Sequence, residues 1–176
     1  MRFIGTPLAG AWLVEPEARG DDRGFFARMW DRDEFAARGL RSDFVQCNNS
    51  LSRFKGTLRG LHYQIPPHAE AKLVRCVAGR IFDVIVDMRP DSSTGARWFG
   101  AELTAENRSL VYVPEGCAHG YLSLEDESEV IYMATAPYAA DAERGVRWDD
   151  PAIGISWPIQ PLILSEKDRQ WPDVTS

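Results

Sequence analysis

The chain has 176 residues, 44% hydrophobic and 26% charged, proportions that suit one globular domain over 1–176 with a buried core. A net charge of -6 excludes general electrostatic affinity for nucleic acid, which needs a basic surface, and no run of about 18 apolar residues occurs that could span a bilayer. The start, MRFIGTPLAGAWLVEPEARGDD, lacks a basic segment followed by a long apolar run, so a cytoplasmic protein is expected.

In chain order, AWLVE is the first predicted strand. DRDEFAARGL then reads as a short helix, with Asp31 or Asp33 as its cap and Gly39 as its end. DFVQCNNS, GTLRGLHYQ, AKLVRCV, RIFDVIVDM, WFGAEL, SLVYVP, GYLSL and EVIYMAT follow as strands, divided by turn signals such as RPDSSTG and PEG. A second helix opens at Ser165 in SEKDRQWP. With no repeat, no low-complexity tract and no helical crossovers, this order predicts an all-β sandwich or small barrel rather than a parallel α/β sheet.

Alternation assigns faces within these strands. In RIFDVIVDM, Phe82, Val84, Val86 and Met88 share one face; Ile81, Asp83, Ile85 and Asp87 share the other, which is therefore wet or functional. Lys72 falls with Val74 and Cys76, and Tyr132 with Val130 and Ala134, so two polar groups lie on largely apolar faces. Cys47, Cys76 and Cys117 are widely spaced, with no CxxC, and read as buried free thiols rather than a disulfide framework or zinc knuckle.

Only three histidines are present, His62, His68 and His119. VPEGCAHG has the Pro-x-Gly-x-x-His form of the second cupin motif, with His119 at the ligand position. The first motif, however, would need His-x-His and a glutamate where this chain reads His62-Tyr63-Gln64. A stable site needs three or four ligands, so no metal is expected. A GxSxG elbow, an activated cysteine and Gly-rich phosphate loops are also missing. A histidine with a lysine and a tyrosine on other strands leaves proton transfer as the chemistry to test.

DDRGFF, FVQCNNS, GTLRGLHYQ, AKLVRCVAGRIFDVIVDMRP, VPEGCAHGY, EVIYMATAPY, WDDPAIGISWP and LSEKD resemble, in order and spacing, the dTDP-4-dehydrorhamnose 3,5-epimerase family, from about residue 3 to 173. The resemblance implies a cupin-type β-barrel (jelly roll) with a few short helices. It implies no metal or cofactor, a homodimer, and action on a nucleotide-diphospho 4-keto-6-deoxyhexose. On this resemblance His62 matches the base, Tyr132 the acid, Lys72 a cation near the ketone, and Asp168 the carboxylate that orients the histidine. Arg23, Gln46, Asn48, Arg59, His119, Glu143 and Lys167 match substrate contacts, while Phe26 and Tyr138 match aromatic walls around the base. Residues 1–30 match an N-terminal arm at the dimer interface. Strict alternation would put Arg59 and His62 on opposite strand faces, so a bulge or bend at Gly60 is expected.

Arg28 stands where the family usually carries a glutamate. A carboxylate can accept the N3-H of thymine or uracil, whereas the N3 of cytosine needs a donor, so a CDP- or other non-dTDP sugar stays open. Also open are inversion at one centre only, a ketoisomerase of the same fold, and a non-catalytic nucleotide-sugar-binding cupin.

Overall fold

The computed structural model describes residues 1–174. Its elements are β1 (Arg2–Gly5), β2 (Trp12–Glu15), β3 (Arg19–Asp21), β4 (Gly24–Phe26), α1 (Arg32–Ala36), β5 (Gln46–Ser52), β6 (Leu58–Gln64) and β7 (Lys72–Ala78). β8 (Arg80–Asp87), β9 (Trp98–Thr104), β10 (Leu110–Val113), β11 (Cys117–Ser123), β12 (Ser128–Ala134), β13 (Glu143–Gly145) and α2 (Glu166–Arg169) follow. One sheet has the order β1-β2-β10-β7-β12-β5, a second β13-β6-β11-β8-β9, and β3 and β4 form a separate hairpin. The all-β, cupin-type reading thus stands, with two short helices.

Period-2 patterning builds the core between the two sheets. Val74, Cys76, Val111, Val113 and Val130 of the first meet Ile81, Ile85, Leu103, Cys117 and Tyr121 of the second. Alternate residues of the same strands face outward and are covered by other segments. Leu73, Leu110 and Tyr112 pack on Phe35 of α1, and fully burying such a side chain stabilises by about 1.5–3 kcal/mol. Val84, Val86 and Ala118 pack under Val146 and Ile153 of the C-terminal segment. The aspartate-bearing face of β8 is accordingly interior rather than wet, since Asp83 and Asp87 are 1% and 0% exposed.

Both predicted helices form where their caps lie. Asp31 accepts from the N-H groups of Asp33 and Glu34 at 3.1 Å each, satisfying two orphan donors of α1, and Gly39 follows at φ +71. Ser165 accepts from Asp168 N at 3.1 Å to cap α2. Three or four residues long, β1, β3, β4 and β13 are not legible from alternation; all four include glycine, which weakens any strand signal. One expectation is corrected. Cys76 and Cys117 are buried, but Cys47 is exposed, because it lies on the outward side of the edge strand β5, whose exposure alternates along its length.

Candidate active site

The site depends on one irregularity in β6. Opposite β11, His62 pairs with His119 and Arg59 with Tyr121, so three steps on β6 match two on β11, the signature of a bulge. Leu58 packs outside the sheet, Leu61 and Tyr63 do likewise, and the extra residue at Gly60 returns both Arg59 and His62 to the inner face. Gly60 has φ +126, and a Cβ there would stand 2.5 Å from Gly120 Cα. Only glycine fits this close approach of two backbones. The expected bulge is therefore present.

Inside it, a cavity of about 510 Å³ is lined by His62, Lys72, Tyr132, Asp168, Arg59, His119 and Lys167, together with Ser50 and Tyr121. A smaller adjoining cavity adds Gln46, Asn48, Tyr138 and Glu143, with Glu70. Eleven of the fourteen predicted site residues therefore meet around one space. Arg23, Phe26 and Arg28 do not, within a single chain. Arg23 pairs with Asp21 on the exposed hairpin, Phe26 is 69% exposed, and Arg28 bonds Asp31 at 3.2 Å.

His62 Nε2 lies 2.5 Å from Asp168 Oδ1. Asp168 Oδ2 also receives the Gly60 N-H at 3.5 Å, so the bulge that turns His62 inward also directs a donor at its partner. Burial pushes the Asp168 carboxyl up, but the bonds from His62, Ser165 and Gly60 outweigh it and hold it below the ordinary carboxylate value. An ionised Asp168 can only accept, so Nε2 carries the proton and Nδ1 is left as the basic nitrogen. Trp171, 5.8 Å away edge-on, walls the ring.

His119 holds a second aspartate, with Nε2 at 2.8 Å from Asp83 Oδ2. The two lie diagonally across β11 and β8, where Tyr121 is the direct partner of Asp83. Both pocket histidines thus have one ring nitrogen engaged by a carboxylate. Gln64, at the second histidine position of the metal-binding motif, bonds the carbonyls of His68 and Pro137 and the N-H of Ala139, so its amide ties loops together.

Tyr132 and Lys72 come from the opposite sheet. Burial, then the charge of Glu70, push the Tyr132 phenol above its ordinary value, with Arg59 opposing. It therefore stays protonated at neutral pH. The Lys72 ammonium lies 3.0 Å from Glu70 Oε1 and 3.5 Å from the His62 carbonyl. Tyr138 donates to Glu143 at 2.9 Å, and Lys167 pairs with the same carboxylate. Glu70, Asp83, Ser50, Tyr121 and Trp171 escape the sequence reading. Only Asp83 left a signal there, as an aspartate on an otherwise apolar strand face.

A family model for dTDP-4-dehydrorhamnose 3,5-epimerase matches residues 5–176. The chain belongs to the dTDP-4-dehydrorhamnose 3,5-epimerase family. The Methanothermobacter thermautotrophicus dTDP-4-dehydrorhamnose 3,5-epimerase is 47% identical over 173 residues, which cover 97% of this chain and 92% of that one. Among solved structures, the Elizabethkingia anophelis epimerase superposes with a TM-score of 0.96 at 40% identity, covering 99% of this chain and 96% of its own. The Bacillus anthracis epimerase, solved with TDP and PPi bound, gives 0.94 at 42% identity, covering 98% and 99%. A cupin-like β fold and an epimerase of nucleotide deoxysugars are the family's shared properties, and no described helix is long and apolar enough to cross a membrane.

Proposed function

We propose that the chain epimerises a dTDP-4-keto-6-deoxyhexose at C3, C5 or both, with His62 as base and Tyr132 as acid. The observation that carries this reading is their placement: His62 stands on β6 of one sheet and Tyr132 on β12 of the other, lining one cavity. A sugar ring between the sheets would meet the base on one face and the acid on the other, the arrangement inversion requires.

The 4-keto group acidifies the hydrogens at C3 and C5. Nδ1 of His62 takes one of them, and the bonding pair moves into an enolate whose oxygen carries the charge. Lys72 supplies a donor to that oxygen, where charge develops, and Asp168 stabilises the imidazolium. Tyr132 then delivers its proton to the same carbon from the opposite face. Exchange with water reprotonates the phenol and empties the imidazole for the next centre.

Arg59 and Lys167 provide cations for the diphosphate, since charge-assisted bonds to phosphate are the strong ones, and Gln46, Asn48, His119, Tyr138 and Glu143 line the remainder. Arg23, Phe26 and Arg28 complete the nucleotide end from the neighbouring subunit, in a homodimer with the N-terminal arm of 1–30 laid across the partner. The exposed Phe25 and Phe26 of the hairpin and Leu51 and Ile131 on the outward side of β5 and β12 support that assembly, because apolar surface of this kind marks contact regions.

Incubation with dTDP-4-keto-6-deoxyglucose in deuterated water tests the reading. Deuterium enters at C3, C5 or both with inversion; retention of both proton signals on dTDP and other nucleotides would mean a binder rather than an enzyme.

A further inference from the structure

Glu70 and Lys72 flank Ala71 where the chain enters β7, and Ala71 is fixed on both sides. Its N-H donates to Thr135 Oγ1 at 2.8 Å, its carbonyl accepts from Thr135 N at 3.0 Å, and its methyl is buried in the cluster outside the sheet. In extended chain, residues i and i+2 share a face. Locking Ala71 outward therefore turns Glu70 and Lys72 inward together, toward the cavity holding His62 and Tyr132.

There the two side chains are only 11% and 12% exposed, with Oε1 and Nζ 3.0 Å apart. Pairs in open solvent contribute little because two long side chains must be immobilised against water; this one is mostly shielded. A lysine ammonium is a point charge on four flexible carbons with three donors. Glu70 takes one, the His62 carbonyl stands 3.5 Å from the nitrogen, and a third donor is left to face the cavity. The neighbouring carboxylate also offsets part of the ammonium's charge, so Lys72 acts as an aimed donor more than as a free cation.

We infer that Glu70 is a positioning residue, which holds the Lys72 ammonium at the place where the ketone oxygen becomes an enolate oxygen. The inference rests on the function proposed above.

Turnover, KM and melting temperature of wild type, E70M, E70Q, K72A and E70M/K72A on dTDP-4-keto-6-deoxyglucose test it. Wild type must exchange C3 or C5 protons first; if it does not, the function proposed above fails rather than this assignment. E70M keeps the length but removes the acceptor, and kcat is expected to fall about 10²-fold, the cost of a misplacement near 1 Å, with KM within about threefold. E70Q, whose amide oxygen still accepts, should recover most of the loss, and E70M added to K72A should cost nothing more. Should E70M melt far below wild type, E70A is read in its place. Three results overturn the assignment: wild-type turnover in E70M, a rise in KM at unchanged kcat, or a loss in the K72A background equal to that in wild type.

Discussion

His62 Nε2 and Asp168 Oδ1 are 2.5 Å apart although 106 residues separate them in the chain. The contact ties β6 to α2, and each end is held by its own local device: the Gly60 bulge turns the histidine inward, and the Ser165 cap fixes the turn that carries the aspartate. A histidine on a strand thus gains a fixed tautomer from a helix formed a hundred residues later.

Replacing Asp168 by Asn keeps the shape but removes the charge. Turnover should fall, by less than the roughly 10²- to 10⁴-fold expected for loss of a general base, and the double variant with His62→Ala should be little worse than His62→Ala alone. The same change alters acid stability. The folded Asp168 carboxyl is depressed, so its contribution is present above the unfolded value of about 3.9 and is lost as pH falls through the lower folded value. Denaturation followed over roughly pH 2 to 6 should show a shallower acid decline for Asp168→Asn; an unchanged slope would remove the linkage.

Gly60→Ala places a methyl 2.5 Å from Gly120 Cα and 2.8 Å from the His119 carbonyl. Backbone must shift on both strands, costing roughly 2–3 kcal/mol or more, and Arg59 and His62 lose their common face. Melting temperature and turnover should fall together. A variant of wild-type stability and activity would show that the bulge does not set the site.

How far the sequence carried this picture differs from residue to residue. Alternation puts Lys72 and Tyr132 on the faces they occupy, because both sit in regular stretches of strand. The bulge is legible as a conflict: Arg59 and His62 cannot share a face without an extra residue, and a glycine stands between them. Asp83 fell on the right face of β8, yet its pairing with His119 depends on which strands are neighbours, information that period-2 patterning does not contain. Asp168 and the nucleotide contacts came only through family resemblance, since no local pattern connects α2 to β6. Glu70 leaves no signal in the sequence because it precedes its strand and faces the site only through the lock on Ala71.

Tyr132→Phe keeps the ring and removes the proton. Deuterium wash-in through His62 should survive while inverted product drops; equal losses of both would assign the phenol to the first step or to binding. Because burial and the charge of Glu70 raise the phenol, the protonated, donating form should persist to above about pH 10. An alkaline limb of wild-type turnover at neutral pH would place the working acid elsewhere.

Arg28 bonds Asp31 within the chain, and nucleotide binding decides whether it also reads a base. Arg28→Glu exchanges a donor for an acceptor, so the ratio of dTDP to CDP affinity should rise about tenfold, the low end of one paired hydrogen-bond contact to a base edge. Equilibrium titration of both nucleotides measures it, and an unchanged ratio leaves Arg28 as a cap partner of α1 only.

Removal of the sugar proton by His62 is tested most directly by proton exchange of His62→Ala and His62→Asn in deuterated water, taken with dTDP affinity and melting temperature. A side chain 28% exposed and facing a cavity carries little of the core, so both variants should fold and bind dTDP nearly as wild type does, while wash-in at C3 and C5 falls at least 10²-fold. Wash-in at the wild-type rate, or a loss that follows unfolding alone, would contradict the account.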